Sequence, residues 1–223
     1  MKKIFFFIVL IFLVLVSFIV TVKITPIPFI LSTQLRLVSF VQRNLGIIAL
    51  NLIFIQIVLG AFSKTFAKLL GTWIYKFHII EGTFAYILTF LHPIFYLLII
   101  KLSGHGFDPY VAFINACLLC KTPYDYYLTI GRISFWLLTI GVFAAIFRKC
   151  NGWLLKYWKK LHLLNYLVFI SVVVHGFFIG SDFRSPILLT LVIAETLIVL
   201  GIIIFIEFPK WLKDFKSWLS SEK

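Results

Sequence analysis

Long apolar runs separated by short basic segments dominate this chain. Six runs lie near residues 4–22, 45–62, 75–100, 126–147, 157–180 and 187–206, and each is close to the roughly 20 residues that cross a bilayer as a helix. The pattern predicts an all-α integral membrane bundle of six transmembrane helices. Lys2 and Lys3 precede the first run, as in a signal peptide. That run is too long for a secretory core and no small-x-small site follows it, so a retained helix is the preferred interpretation.

Composition supports a membrane protein and excludes several other classes. Apolar residues make up 62% of the 223 residues, 26 of them phenylalanine, and the mean hydropathy is +1.07. Basic residues between the runs account for the net charge of +13, so no nucleic-acid partner is needed to explain it. No Gly-rich dinucleotide loop and no P-loop is present. Flavin or nicotinamide chemistry is therefore expected from another protein, with a loosely bound flavin left as an alternative.

The distribution of Lys and Arg predicts the orientation. If the N-terminus is cytoplasmic, the inner side holds Lys2, Lys3, Lys64, Lys68, Lys76, Arg148, Lys149, Lys156, Lys159, Lys160, Lys210, Lys213, Lys216 and Lys223. The outer side then holds only Lys23, Arg36, Arg43, Lys101, Lys121 and Arg184. Because basic loops stay in the cytoplasm, we expect both termini inside, in a cell (inner or plasma) membrane. The third and fifth spans then run in the same direction.

Four histidines lie within the third and fifth runs. His78 and His162 fall near the inner ends of their spans and form the inner pair, whereas His92 and His175 lie toward the outer side and form the outer pair. Ionisable residues in hydrocarbon are costly and usually functional, and imidazole is a common ligand of haem iron. The two levels are about 20 Å apart at 1.5 Å per residue, which excludes one shared metal. The spacing predicts two haem b groups, each held between the third and fifth spans.

Helical phase supports this arrangement on one span only. The fourteen residues from His78 to His92 return to nearly the same helix face, whereas the thirteen from His162 to His175 leave the rings about 140° apart on an ideal helix. The fifth span would therefore need overwinding, a bulge or a strong tilt. Gly82 and Gly176 could admit a flat macrocycle and Pro93 could bend the third span, although glycine and proline are also frequent in membrane helices.

Several segments resemble the ferric-reductase-like transmembrane domain family. They are Phe77-His78 through Leu91-His92-Pro93, Trp158-Lys-Lys-Leu-His162-Leu-Leu-Asn-Tyr166, His175-Gly, and Lys121-Thr-Pro-Tyr-Asp125 running into Gly131-Arg132, and the resemblance covers roughly residues 46–206. The family includes eukaryotic ferric reductases, NADPH oxidases and the bacterial haem subunit that serves a periplasmic methionine sulfoxide reductase. The resemblance implies that His78 with His162 ligates an inner haem and His92 with His175 an outer one.

The chain also departs from the family. The oxidases and eukaryotic ferric reductases carry a flavin and NADPH module after the last span, which we do not expect here, and many relatives of the sulfoxide reductase subunit carry a basic residue where this chain has His78. We divide the chain into an N-terminal helix and outer loop (1–44), a haem-binding helix bundle (45–207) and an amphipathic cytoplasmic tail (208–223). Trp211, Phe215, Trp218 and Leu219 of that tail share one face at helical spacing, which suits a helix at the inner interface or a docking site for a flavoprotein.

Three charged residues inside spans have two interpretations each. Arg132 could neutralise the propionates of the outer haem or snorkel to the interface. Glu195 could serve a proton or quinone, or it could pair with Arg132 or stay neutral. Glu81 could orient His78 or take up a proton, or it could be an interfacial carboxylate.

The remaining candidates lie in loops. His105 on the outer loop is most simply a solvated histidine. Cys117 and Cys120 lack the following histidine of a c-type haem site; they could form a disulfide on an oxidising side, join a partner, or be apolar members of a short helix. Cys150 is expected to stay reduced inside.

The sequence therefore predicts a di-haem b cytochrome that passes electrons from a cytoplasmic flavoprotein or quinol to an outer acceptor such as ferric iron, oxygen or a periplasmic oxidoreductase. Two alternatives stay open: a cytochrome b subunit of a quinol-coupled complex, and a haem-free membrane metal transporter. In either electron-transfer case the chain is an oxidoreductase component embedded in the lipid bilayer.

Overall fold

The computed structural model describes residues 2–213, which form helices joined by turns and loops. The helices are α1 Lys2–Ile24, α2 Ile27–Ile30, α3 Gln34–Ala61, α4 Ser63–Leu70, α5 Trp73–Leu102, α6 Pro109–Phe113, α7 Pro123–Ile146, α8 Gly152–His162, α9 Leu164–Ile179 and α10 Pro186–Ile202. A short 3₁₀ turn covers Ser181–Arg184 and a π turn covers Ile203–Glu207. No strand occurs between residues 2 and 213.

Six helical segments are long and apolar enough to cross a membrane. They are α1, α3, α5, α7, the α8–α9 segment and α10 with its continuation to Lys213. Every one of them coincides with a predicted apolar run, which confirms an all-helical, multi-pass membrane protein. The sixth helix does not end at residue 207 but continues through the π turn. Phe215, Trp218 and Leu219 of the expected tail helix lie outside the described residues.

The helix ends follow local sequence signals. Thr33, Thr122 and Asn151 lie just before α3, α7 and α8, and each side chain accepts a hydrogen bond from a backbone N–H of the first turn. Such N-caps satisfy amide groups that have no partner within the helix. Pro123 and Pro186 open α7 and α10, where the missing N–H costs nothing. These signals mark where α3, α7, α8 and α10 begin.

The helices pack as two close pairs with two further spans at their side. α3 lies along α5, and α7 lies along α9, while α1 and α10 pack against α3. α5 and α9 are not among the closely packed helix pairs of the described chain. The bundle therefore leaves a separation between α5 and α9, and only side chains bridge it.

Packing contacts place the ends of the first and last spans. Phe6 near the start of α1 packs on Phe66 of α4 and on Trp73 and Phe77 of α5. At the other end of the chain, Glu207 lies close to Tyr166, just beyond the junction of α8 and α9. We call this face of the bundle, with α4 and α8, the inner face. The outer face carries α2, α6 and the 3₁₀ turn.

Candidate functional site: two facing histidine pairs

The inner and outer pairs both form in the structure. The ring centroids of His78 and His162 are 6.3 Å apart, and those of His92 and His175 are 6.5 Å apart. The rings within the two pairs are inclined by 73° and 80°. Each pair joins α5 to the α8–α9 segment, across the separation between these helices. The pairing inferred from parallel spans is therefore the pairing found.

The centroid distances match two imidazoles on one metal ion. Two metal–nitrogen bonds of about 2.0 Å and two ring radii of about 1.15 Å, set by ring bonds near 1.33 Å, together span about 6.3 Å. The same distances and inclinations also lie within the range of edge-to-face ring pairs, 6.3 and 6.5 Å at 73° and 80°. The fourteen residues that separate His78 from His92 on α5 correspond to about 21 Å along the helix, so two separate sites are built.

An interruption at Leu163 reduces the phase mismatch of the fifth span. α8 ends at His162, Leu163 forms a turn, and α9 begins at Leu164. The N–H of Tyr166 donates to the carbonyl of Leu163 at 3.1 Å, a bond across three residues that tightens the chain as a 3₁₀ turn does. Overwinding was one of the distortions that the thirteen-residue spacing required. The break lies directly after His162, between the two histidines whose relative orientation it changes.

The outer histidines are oriented by backbone carbonyls. Nδ1 of His92 lies 2.9 Å from the carbonyl oxygen of Gln42, and Nδ1 of His175 lies 2.7 Å from that of Tyr127. An N–H at Nδ1 that donates to a carbonyl leaves the lone pair on Nε2. That is the protonation state a metal ligand needs. In the structure the side-chain amide of Gln42 lies 3.1 Å from Nε2 of His92.

Glycines of the neighbouring helices lie against the outer rings. A Cβ atom built on Gly46 would lie 2.7 Å from the His92 ring, and one built on Gly131 would lie 2.6 Å from the His175 ring. No side chain larger than hydrogen fits at either position without displacing the ring. Neither glycine was predicted from the sequence. A signal existed, because Gly46 and Gly60 on α3 are fourteen residues apart, as His78 and His92 are on the antiparallel α5.

The two glycines singled out from the sequence have other neighbours. A Cβ on Gly82 would meet the side chain of Gln56 at 2.8 Å, and a Cβ on Gly176 would meet the ring of Phe183 at 2.8 Å. The space beside each glycine is therefore filled by another side chain of the protein and not left for a cofactor. Pro93 lies within α5, which continues past it to Leu102.

The inner pair is held less tightly. Nδ1 of His162 lies 3.4 Å from the carbonyl oxygen of Gly141, and Nδ1 of His78 is buried without a hydrogen-bond partner among the described residues. A Cβ on Gly60 would still be 3.9 Å from the His78 ring, an ordinary contact distance. Buried polar atoms are nearly always satisfied in folded proteins. Among the described residues, His78 lacks the orienting contact at Nδ1 that both outer histidines have.

A cavity adjoins the outer pair. Its volume is about 390 Å³, within the range of small-molecule sites, and His92 and His175 both line it. The rest of the wall is mainly apolar, with Tyr96, Tyr124 and Arg132 among its polar members. A cofactor bound by the outer histidines would be shielded from water on most sides.

Arg132 is part of the cavity wall and is held by an outer loop. Its Nε donates to the carbonyl of Val111 at 3.0 Å, and its Nη1 donates to that of Asn115 at 2.6 Å. Only 9% of the residue is exposed, so it does not snorkel into open solvent. The expected alternative of a pair between Arg132 and Glu195 is wrong, because both carboxylate oxygens of Glu195 lack a partner within residues 2–213.

A second arginine at the outer level forms an ion pair that the sequence analysis did not anticipate. Arg43 also lines the cavity, and its Nε and Nη2 donate to the two carboxylate oxygens of Asp182 at 2.7 and 2.6 Å. Asp182 is almost fully buried. The pair ties α3 to the 3₁₀ turn that follows α9 and fixes the outer end of the helix carrying His175.

Glu81 is buried and contacts a glutamine instead of a histidine ring. The amide of Gln56 donates to the carboxylate of Glu81 and also, at 3.0 Å, to the backbone carbonyl of His78. Glu81 is only 5% exposed, so it is not a carboxylate at the membrane surface. The sequence analysis did not identify Gln56, which links α3 to the turn of α5 that carries the inner ligand candidate.

The remaining candidates lie away from both pairs. His105 is exposed on the loop before α6. Cys117 and Cys120 are joined by a disulfide, the first of the alternatives considered for them, and Cys150 is free and exposed. No cluster of three or more His, Cys, Asp or Glu side chains suited to a metal ion occurs in the described part of the chain.

Comparison with protein-family models, with curated proteins and with solved structures gave no match for this chain. The site geometry and the sequence resemblance are therefore the basis for a functional assignment.

Proposed function

We propose that this chain is a di-haem b membrane cytochrome that carries single electrons across the bilayer. The spacing of the two histidine pairs supports the proposal most directly. Centroid distances of 6.3 and 6.5 Å leave room for one ligated metal ion in each pair. Imidazole pairs in an apolar bundle suit haem iron, and haem supplies one-electron chemistry when bound.

The protein's own residues would hold the two groups. His78 and His162 are the proposed axial ligands at the inner level, and His92 and His175 those at the outer level. The separation between α5 and α9 supports a flat group at each level, because the backbones stay apart while the rings approach. The carbonyls of Gln42 and Tyr127 orient the outer imidazoles through Nδ1. Gln42 would turn its amide away from Nε2 of His92 to admit a metal ion.

Arg132 is the proposed contact for the acidic groups of the outer cofactor. It lines the cavity beside the outer pair, and its position is fixed by the carbonyls of Val111 and Asn115. A buried guanidinium with fixed geometry forms strong charge-assisted hydrogen bonds to carboxylates. Retention of the outer cofactor is therefore the effect to measure.

Orientation and partners complete the proposal. Basic residues concentrate on the inner side, which supports a cytoplasmic inner face in a cell (inner or plasma) membrane. The disulfide on the outer face and the free Cys150 on the inner face agree with this orientation, because disulfides persist outside the cytoplasm. A cytoplasmic flavoprotein or quinol is the proposed donor. The proposed acceptor is ferric iron, oxygen or a periplasmic oxidoreductase, as the ferric-reductase-like resemblance implies.

Two alternatives compete with this assignment. A quinol-coupled cytochrome b subunit would use the same histidines. A haem-free metal transporter would use the pairs for transient binding, but zinc prefers four protein ligands in a closed site, and the described residues offer no third ligand beside either pair. The four histidines alone do not make a good zinc site.

Absorption spectra test the proposal directly. Detergent-purified protein from haem-replete cells should give a b-type spectrum that sharpens on reduction with dithionite, and pyridine extraction should yield about two haems per chain. A colourless preparation would exclude both the di-haem cytochrome and the quinol-coupled subunit, and would leave the metal transporter. A coloured protein whose haems are reduced by a quinol analogue but not by a reduced flavin would favour the quinol-coupled subunit.

A further inference from the structure

The disulfide between Cys117 and Cys120 closes a four-residue ring on the outer face. The ring lies between α6 and α7, and its two Cα atoms are 5.3 Å apart. Leu118 and Leu119, between the cysteines, are 90% and 91% exposed. Both cysteines are themselves partly exposed. The bridge therefore stands at the surface, where a partner molecule can reach its sulfur atoms.

One side of the ring is anchored to α7 by a buried threonine. The backbone N–H of Cys117 donates to Oγ1 of Thr129 at 3.2 Å, and Sγ of Cys117 lies 3.4 Å from the same oxygen. Sγ of Cys120 lies 3.9 Å from it. After reduction, the Thr129 hydroxyl could donate to a thiolate at Cys117. The environment of the sulfurs therefore suits both the bridged and the open state.

A structural role explains the bridge poorly. The stabilisation that a disulfide gives by restricting the unfolded chain is smallest for the shortest loops, and this loop contains only two residues between the cysteines. The loop is already fixed by Arg132, which binds the carbonyls of Val111 and Asn115. Two exposed leucines add nothing to the packing of the bundle. Closely spaced, accessible cysteines are instead the arrangement of a reactive dithiol.

We propose that Cys117 and Cys120 form a redox-active site that exchanges with a dithiol on a partner polypeptide. A partner thiolate attacks one sulfur of the bridge, which breaks the Cys117–Cys120 bond, forms a mixed disulfide and releases the other cysteine as a thiol after protonation. The partner's second thiolate then attacks the mixed disulfide and displaces the remaining cysteine. The partner dithiol is oxidised to a disulfide, and the pair gains two electrons and two protons.

The exposed leucines argue for a polypeptide in preference to a small thiol. Leu118 and Leu119 flank the reactive sulfurs and offer apolar contact area directly beside the point of attack. A polypeptide with apolar side chains next to its cysteines would bury these leucines, whereas a small hydrophilic thiol would not. The exchange chemistry itself involves no haem, so this inference stands apart from the proposed electron transfer.

Thiol counting under native conditions tests the exchange. The full-length Cys150→Ser protein in detergent is treated with dithiothreitol, and free thiols are counted by the gel shift with a maleimide polymer. We expect none before reduction and two after it, without denaturant. Glutathione disulfide should then restore the bridge with no adduct left on the protein, while Cys120→Ser should keep one glutathione on Cys117. A bridge that opens only after denaturation would overturn the proposal, and so would a lasting adduct on the intact pair.

A matched variant tests the polypeptide partner. Leu118→Ser with Leu119→Ser should slow reduction by a two-cysteine peptide with apolar flanking residues about tenfold, while reduction by dithiothreitol keeps its rate. Equal rates with the peptide before and after the change would overturn the assignment to a polypeptide. The absorption spectrum of the same samples reports haem content separately, so a colourless protein with an exchanging pair would contradict only the proposed electron transfer.

Discussion

The outer and inner histidine pairs share one spacing but differ in how the protein supports them. The outer rings lie against Gly46 and Gly131, and their Nδ1 atoms contact backbone carbonyls at 2.9 and 2.7 Å. In the inner pair, the corresponding contact of His162 is 3.4 Å long and Nδ1 of His78 has no partner among the described residues. The outer pair is oriented before any ligand binds, whereas the inner pair depends more on the group it would hold.

This difference shows that ligand identity and ligand support are separate properties of a site. Both pairs consist of one imidazole from α5 and one from the α8–α9 segment, yet only the outer rings are fixed on the side away from the proposed metal. Fixed ligands lose less conformational freedom on binding and therefore bind more tightly. We expect the outer site to retain its cofactor better than the inner site, and the following changes would break or sharpen that contrast.

Loss of an axial ligand should have the largest effect. His92→Ala or His175→Ala should remove one of the two expected haems and leave the other, because that haem loses one of its two axial ligands and the link between its two helices. His78→Ala or His162→Ala should remove the other one. The pyridine haemochrome assay on each purified variant gives the number of haems per chain. A histidine variant with the full complement would exclude that residue as a ligand.

Glycine substitutions should separate the two sites next. A Cβ at position 131 or 46 would lie 2.6 or 2.7 Å from a histidine ring, whereas a Cβ at position 60 would lie at 3.9 Å. Gly131→Ala and Gly46→Ala should each lower outer haem occupancy, on the order of tenfold in affinity, because an orienting contact is lost. The chemically identical Gly60→Ala is the control and should keep both haems. Similar losses in all three variants would refute the difference in support.

Removal of the Arg132 charge should have a smaller effect that is confined to the outer site. Arg132→Gln should weaken outer haem retention about tenfold, which corresponds to the lower end of a charged hydrogen bond's contribution. Transfer of haem to apomyoglobin measures the retention. Arg148→Gln removes the same charge at the inner end of α7, where the guanidinium donates to Ala145, and should not change it. An equal effect of both variants would point to net charge instead of a specific contact.

The two glutamines should give the smallest effects, in opposite senses. Gln56→Leu leaves the buried Glu81 carboxyl without its amide partner and should lower the free energy of unfolding by about 1–3 kcal/mol. Gln42→Ala removes an amide that lies 3.1 Å from Nε2 of His92 and should leave haem occupancy unchanged or higher. Thermal unfolding and the haem count measure the two results. Reduced outer occupancy in Gln42→Ala would show that the amide supports the ligand instead of competing with the metal.

Much of this architecture could be predicted from the sequence, because apolar length and histidine position are local signals. The six spans and the partners of His78 and His92 follow from run lengths and from helix direction. The contacts that orient the histidines could not be predicted from such local signals. Gln42 and Gln56 act through neighbouring helices, and the break at Leu163 has no proline or glycine to announce it. The sequence suggested that Gly82 and Gly176 make room for a flat cofactor. In the structure, the side chains of Gln56 and Phe183 occupy the space beside them.

Charged side chains were the hardest to predict, because their partners are decided by tertiary packing. Arg132 is satisfied by carbonyls seventeen and twenty-one residues earlier in the chain, and Arg43 by a carboxylate 139 residues later. Neither partner could be deduced from spacing along a helix. Sequence alone offered Glu195 as a partner for Arg132, and only the fold excludes it.

The bridging of α5 and α9 by histidines has a consequence for biogenesis. Each pair combines residues more than eighty positions apart, so neither pair exists until the fifth span has left the ribosome and entered the membrane. Before that moment α5 carries two solitary imidazoles. If the proposed function is right, a nascent chain arrested before residue 162 would be unable to hold iron porphyrin between two imidazoles at either level.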